Sequence, residues 1–480
     1  MKNFILTIII CLCSISVFAQ NKTNIRINIP QVDTTELKAV LYIEDPLKPL
    51  GSGILKDTAL IKNNQCHFTF DIENPSNLTI IINNKFITFP GDYSVIIEPG
   101  DNLRFTIPSI KEAGFFGWGI MKIKIDGEGS EKINFTKNVI NKYFEIYAKD
   151  PNISKQSLTY QFESTDKKLD VIDSMYKLDT TVPQSIKDII KAQLYNSVMT
   201  SLIRSSNNSR SDSLRFLFKK YIVNKKRMAV FFKKNIVQYG GTIGSYLILS
   251  EYPNPITVGG NNFTEDNRMK YAEIIVKHLK KFPEVRDYML SKHLIASIRT
   301  AFDSTTTKLY EYYCDKADFN NPNFNTVANL YQDTENKFAV GKPFFNFSLP
   351  DSTGKIYNLS DFKGKVMVID FWYNGCGGCR LLVPALEEVE KEMVGKNVQF
   401  LSIGIDKKDL WLDGIGKYSS KSSIQLFTNG QSKEHPMMKY LNIYAYPRLF
   451  IVDKSGNITP APPNPISDKN AFINSIKKYL

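Results

Sequence analysis

The sequence is poor in the residues that build metal centres. Four histidines, His67, His278, His293 and His435, are scattered over 480 residues, and no Cys or His pair stands at zinc-ribbon spacing. Cysteine occurs six times, and two of the six, Cys11 and Cys13, fall within the first twenty residues. Beyond the N-terminus no apolar run approaches the roughly 20 residues of a membrane-spanning helix. No basic motif of a nucleic-acid binder is present either. The formal net charge of +13 is spread among acidic residues and reads as generic basicity, with no nucleic-acid partner expected. The basic stretch "KKYIVNKKRMAVFFKK", residues 219 to 234, reads as a solvated helix face. A peroxidatic Pro-x-x-x-Thr-x-x-Cys is missing too, because Ile369 and Tyr373 hold the two diagnostic places before Cys376.

What is present reads as a folded chain with an export signal. Hydrophobic residues at 42% and aromatics at 12% suit globular structure, and the length calls for two or three domains. "MKNFILTIIICLCSISVFAQ" has Lys2, an apolar run from Phe4 and Val17-Phe18-Ala19 at the cleavage positions. It predicts a secretory signal peptide over 1–19, cut after Ala19, with an uncleaved anchor as the alternative. Ile10 and Leu12 precede the two early cysteines where a lipid-attachment site wants a small residue. The expected location is the periplasm or cell envelope. The mature chain keeps Cys66, Cys314, Cys376 and Cys379, and outside the cytosol a close pair spends part of its life as a disulfide.

The hydrophobic pattern changes twice along the chain. Over 20–128, short alternating runs such as "NIRINI", "AVLYIE", "CHFTFDIE" and "LRFTI" predict an antiparallel β domain. Over 129–337, "INFTKNVINKYFEIYAK", "SIKDIIKAQLYNSVMTSLI", "MKYAEIIVKHLKKF" and "VRDYMLSKHLIASIRTAF" space their apolar residues at three and four, and predict an all-α region. Over 338–480 strands and helices alternate, as in an α/β domain with a mixed sheet. There "KVMVIDFWY" reads as a buried central strand, and "KDLWLDGIGKYSS" as a helix.

The pair Cys376-Gly-Gly-Cys379 sits between that strand and the helix "LLVPALEEVEKEM". Half a zinc site, a structural disulfide and a redox pair are the three readings. Zinc lacks its other ligands, and a structural disulfide closing four residues adds little chain entropy. A redox pair fits the position. At a strand-to-helix junction, free backbone N–H groups and the helix dipole favour a Cys376 thiolate. Cys376 is expected exposed, and Cys379, one turn into the helix, more buried and able to resolve a mixed disulfide. Asp370, in an apolar run, is either a satisfied polar residue at a strand end or a base whose pKa burial has raised.

Several features at fixed offsets carry a resemblance. They are Phe371-Trp372 before the Cys-x-x-Cys, Pro384 five residues after Cys379, the upstream hairpin ending "LSDFKGK", and Tyr446-Pro447 ahead of "RLFIVD" and "DKSGNI". Residues 341 to 480 resemble the TlpA-like and ResA-like thioredoxin-fold thiol-disulfide oxidoreductases. The front part, with "VIIEPGDNLRFTI" and "IDGEGSEKINF", resembles a β domain of unknown function found ahead of such domains. The resemblance implies that Cys376 and Cys379 carry the chemistry and that Asp370 moves the Cys379 proton. It also implies that Trp372, Tyr446 and a cis Pro447 meet the substrate, with no bound cofactor or metal. The implied substrates are cysteine-containing envelope proteins, apocytochrome c among the candidates, recharged by a membrane thiol-disulfide electron donor. The sequence departs from the family in lacking a proline between the cysteines and in having Leu382 where some members carry an acid. The thioredoxin-like context of Asp370 and Trp372 implies a reductase.

Two rival readings remain. "EHPMM" offers His435, Met437 and Met438 to Cu(I), as in a copper chaperone on the same fold, although methionines there suit a helix core equally. The β and helical parts, which show no catalytic constellation, read as a partner-binding module. Cys66 and Cys314 are either a pair or two small buried thiols.

Overall fold

The computed structural model describes residues 22–30, 37–83, 85–87, 95–108, 123–148, 157–206, 265–300, 302–443 and 445–480, with short stretches between 216 and 236. The leader over 1–19 lies outside the described residues, as does much of the basic stretch over 219–234. Two compact units organise the chain: residues up to 256 with 278–289, and residues 257–277 with 290–480.

In the first unit the alternating runs form two sheets. One has the order β4-β1-β8-β9, from β1 (Thr23–Asn28), β4 (Gln65–Phe70), β8 (Asn102–Thr106) and β9 (Lys124–Glu128). The other has the order β3-β2-β5-β6, from β2 (Leu37–Glu44), β3 (Ile54–Ile61), β5 (Ser76–Ile82) and β6 (Lys85–Ile87), with β7 (Val95–Ile97) also on β5. The pairing is antiparallel except for β1 with β8, which is parallel. Alternation is real: Ile25 and Ile27 of β1 and Cys66, Phe68 and Phe70 of β4 are buried, while their neighbours are less so. Three long helices follow, α1 (Ser130–Ala148), α2 (Leu158–Leu178) and α3 (Gln184–Ser206). The buried Lys132 ties α1 to the strands by donating to Asp101 at 2.7 Å and pairing with Glu98 at 3.2 Å.

The remaining helices are α4 (Glu265–Leu279), α5 (Pro283–Thr300), α6 (Ser304–Lys316) and α7 (Phe324–Phe338). They precede the α/β domain, which opens with the hairpin of β10 (Ser348–Pro350) and β11 (Ile356–Asn358). Its sheet has the order β14-β13-β12-β15. β12 (Val366–Trp372), β13 (Val398–Gly404) and β14 (Ile424–Phe427) run parallel, and β15 (Arg448–Val452) runs antiparallel to β12. Every residue of β12 is buried, which explains its unbroken apolar run. On one face Val366 and Val368 meet Leu382, Leu386 and Val389 of α8 (Gly377–Glu392) and Phe472, Ile473 and Ile476 of α11 (Lys469–Lys477). On the other face Met367, Ile369 and Phe371 meet Phe344, Phe347 and the Met437, Met438 and Leu441 side chains of α10 (Pro436–Leu441). The helix expected over "KDLWLDGIGKYSS" is shorter: α9 (Lys408–Gly414) ends where a bridge between Ile415 and Ser419 folds the next residues into a turn.

Candidate active site

Cys376 caps α8. Its sulfur accepts a hydrogen bond from the Cys379 backbone N–H at 3.0 Å, so it occupies the place where a helix N-terminus stabilises negative charge. The two cysteines are joined as a disulfide. The turn before them needs Gly375, whose φ of +96° favours glycine. Asn374 anchors that turn: its backbone N–H donates to Asp406 at 2.6 Å, and its side chain donates to the Leu410 carbonyl and to Asp413 at 2.9 and 3.1 Å.

The facing wall is the cis Tyr446–Pro447 step. A Cβ on Gly378 would lie 2.9 Å from Pro447 Cδ and 3.3 Å from the Tyr446 carbonyl oxygen, whereas one on Gly377 would meet nothing within 4 Å. The second glycine is therefore required by close packing, and the first leaves open space beside the disulfide. Tyr446 stands edge-on to Tyr373, with ring centroids 5.4 Å apart. Burial pushes its hydroxyl pKa up to about 12.

Beneath lies an aromatic floor. Trp372, Trp411 and Phe427 pack with both cysteines, and Tyr418 and Tyr446 close over them. Two expectations are corrected here. Cys376, at 2% exposure, is as enclosed as Cys379 at 1%, because these aromatics cover both sulfurs. Trp372 is fully buried and supports the disulfide from below; the neighbouring aromatic that reaches solvent is Tyr373, at 37% exposure.

Asp370 lies between Val368 and Trp372 on the face of β12 that α8 covers. Its Oδ2 accepts from Ser402 Oγ at 3.4 Å, and its buried Oδ1 has no hydrogen-bond partner. Burial pushes its pKa up to about 8, a nearby Glu390 adding to the rise and the Ser402 bond opposing it. A carboxyl so placed exchanges protons near neutrality.

The other candidates lie elsewhere. His435 caps α10, its Nδ1 accepting from the Met437 N–H at 3.2 Å, and both methionines are core residues. Structural roles thus account for "EHPMM". His293 is buried against the Arg268 carbonyl, and burial lowers its pKa to about 4. Cys66 and Cys314 are free thiols. Cys66 is buried, with its pKa pushed up to about 11, but Cys314 is exposed, so the reading as two buried thiols fails for it. Asn374, Ser402, Asp406 and Glu390 were missed. A polar residue next to the Cys-x-x-Cys turn was the available signal for Asn374; the other three become visible only when strands and helix are packed.

Residues 340–461, about a quarter of the chain, match the family model described as the AhpC/TSA family. A thioredoxin of Rickettsia typhi is 33% identical over 87 residues, which cover 16% of this chain and 81% of that protein. The thiol-disulfide oxidoreductase ResA of Bacillus cereus is 28% identical over 134 residues, covering 28% of this chain and 75% of the relative. The chain belongs to the thioredoxin-fold thiol-disulfide oxidoreductases. Among solved structures, the thioredoxin domain of a thiol-disulfide oxidoreductase from Bacteroides vulgatus is 23% identical, with a TM-score of 0.27, and aligns over 29% of this chain and 97% of that one. The AhpC/TSA match comes without the peroxidatic proline and threonine, whose places are held here by Ile369 and Tyr373.

Proposed function

We propose that this protein is an exported disulfide reductase acting on cysteine pairs of envelope proteins, apocytochrome c among them. The observation that carries the reading is the Cys376–Cys379 disulfide at the start of α8, facing a cis Tyr446–Pro447 step, with the buried Asp370 carboxyl on the face of β12 that α8 covers. In the reduced protein, the Cys376 thiolate attacks the substrate disulfide, its charge held by the Cys379 N–H and the helix N-terminus. A mixed disulfide forms and one substrate thiolate departs. The Cys379 thiol then gives its proton to Asp370 and attacks Cys376 sulfur, releasing the second substrate thiolate and leaving the internal disulfide. Backbone groups of Tyr446, ahead of the proline, pair with the substrate strand. Gly377, with open space around it, lets that strand approach.

The signal-like leader supports an envelope location, where a membrane thiol-disulfide donor would return Cys376 and Cys379 to the dithiol. No helix among the described residues is long and apolar enough to cross a membrane. The two sheets and α1–α3 serve as a partner-binding module.

The test uses the reduced full-length protein and a protein disulfide. Cys376→Ser abolishes reduction, Cys379→Ser accumulates the mixed disulfide, and iodoacetamide at neutral pH modifies Cys376 first. Faster alkylation of Cys379 would reverse the assigned roles, and full activity in Cys376→Ser would end the reading.

A further inference from the structure

The cis Tyr446–Pro447 wall stands outside the sheet. β15 pairs with β12 from Arg448 onward, opposite Phe371, so residues 445–447 lie beyond the ladder. The Tyr446 hydroxyl has no hydrogen-bond partner. The first backbone anchor after the wall is therefore Arg448, and what holds Arg448 bears on where the wall stands.

Arg448 shares the sheet face of Phe450, and its guanidinium lies 5.0 Å from the centre of that ring. Its Nη1 donates to the carbonyl of Thr300, the last residue of α5. A helix leaves its final carbonyls without intrahelical partners, and they carry the negative end of its dipole. A guanidinium meets both needs. Arg448 stays a cation at neutral pH, although burial lowers its pKa to about 10 against the pull of Asp303.

The acceptor is itself held in place. Phe302 packs against the apolar cluster that contains Phe450. Asp303 caps α6, its Oδ1 accepting from the Thr306 N–H at 2.9 Å, and its Oδ2 accepts from Arg268 of α4 at 2.5 Å. Arg268, buried at 2% exposure, also donates to Thr306 Oγ1 at 2.9 Å. The joint between α5 and α6 is thus fixed by α4 on one side and by the sheet on the other. Packing alone does not call for arginine at 448. Methionine would cover Phe450 without a half-buried charge, but it offers the Thr300 carbonyl no donor.

We propose that Arg448 is a positioning residue of the exchange site: by bonding the end of α5 it fixes the cis Tyr446–Pro447 wall on which the substrate strand pairs. The proposal deepens the disulfide-exchange reading above and rests on it. Arg448 takes no part in making or breaking bonds and acts through the two residues before it. The α5–α6 joint then belongs to the working part of the reductase, although it carries none of the chemistry.

Arg448→Met in the full-length protein tests this, because methionine keeps the cover over Phe450 and removes the donor. KM for a protein disulfide rises about tenfold while kcat changes less than about twofold, the pattern of lost binding with the chemistry intact. Arg448→Lys keeps a cation and a donor for Thr300 but not the flat guanidinium, and gives about a threefold rise. A readout independent of turnover is amide hydrogen exchange in the oxidised protein. Over residues 445–449 it quickens about tenfold in Arg448→Met, and in β13 it stays at the parent rate. A parent-like KM in Arg448→Met overturns the tether, as does a fall in kcat with KM unchanged, or amide exchange that quickens equally in β13. Should Arg448→Met fold poorly, a parent-like KM in Arg448→Lys overturns it. If the parent protein itself reduces no protein disulfide, the disulfide-exchange reading fails first and the positioning role falls with it, even where amide exchange reveals the tether.

Discussion

Replacing Asp370 by asparagine should change the sign of its effect on stability with pH. The folded carboxyl titrates at about 8, against roughly 3.9 in an unfolded chain. A raised folded pKa means that the native state holds a proton the unfolded state has lost. The associated stability is complete below about pH 4 and is lost as pH rises through 8. At 1.36 kcal/mol per pH unit, the parent gives up on the order of 4 kcal/mol by pH 7 and somewhat more by pH 8. Asparagine has no such dependence. It brings instead an amide donor into a place where Oδ1 has no hydrogen-bond partner, at a cost of about 1–3 kcal/mol. Asp370→Asn is therefore less stable than the parent at pH 4 and more stable at pH 8. The assay is urea unfolding of the oxidised full-length protein from pH 4 to 9, followed by tryptophan fluorescence. Trp372 and Trp411, two of the three tryptophans in the chain, lie beside the disulfide and report on this domain. The resolving step slows in the same variant by about 10²-fold, the lower end of general-base effects. A stability difference that stays constant from pH 4 to 9 would refute the reasoning, because Asp370 would then not titrate between folded and unfolded states in that range.

Gly378→Ala, whose Cβ would crowd Pro447 Cδ at 2.9 Å, should cost about 1–3 kcal/mol, while Gly377→Ala, whose Cβ meets no atom within 4 Å, costs no stability; equal losses of stability at the two positions would mean that Pro447 does not pack on this turn. The purified protein treated with a chelator should reduce a protein disulfide at the untreated rate. Stoichiometric Cu(I) binding lost in His435→Ala would restore the copper reading.

How far the sequence could be read depended on whether a residue acts through its neighbours in the chain or through packing. β12 was legible because both of its faces are covered, so its apolar run is unbroken. The half-buried strands β2, β4 and β5 showed as alternation. β3 was not legible: it lies at a sheet edge with Ile54, Leu55 and Leu60 exposed, and no periodicity marks it. The parallel pairing of β1 with β8 joins strands more than 70 residues apart, and no local pattern encodes it. At the site, the cysteines and Pro447 stand at offsets that a motif records. Enclosure of Cys376 depends on Trp411, Phe427 and Tyr446, which reach it from three separate segments. Glu390 looked like one more acid on an amphipathic helix, and only the serines that bond to it mark it as buried.

Several features of the domain that cost stability lie in or under α8, which the disulfide opens. Gly377 and Gly378 open α8, and each is about 1 kcal/mol poorer than alanine in a helix. Pro384 interrupts the ladder of the same helix. Asp370 and Glu390 place two carboxyls in an apolar layer, and the Tyr446 hydroxyl is buried without a hydrogen-bond partner. The opposite face, from Phe344 and Phe347 to Met437 and Leu441, is a hydrophobic cluster. Local rules broken together beside a disulfide are what selection for chemistry leaves in a fold.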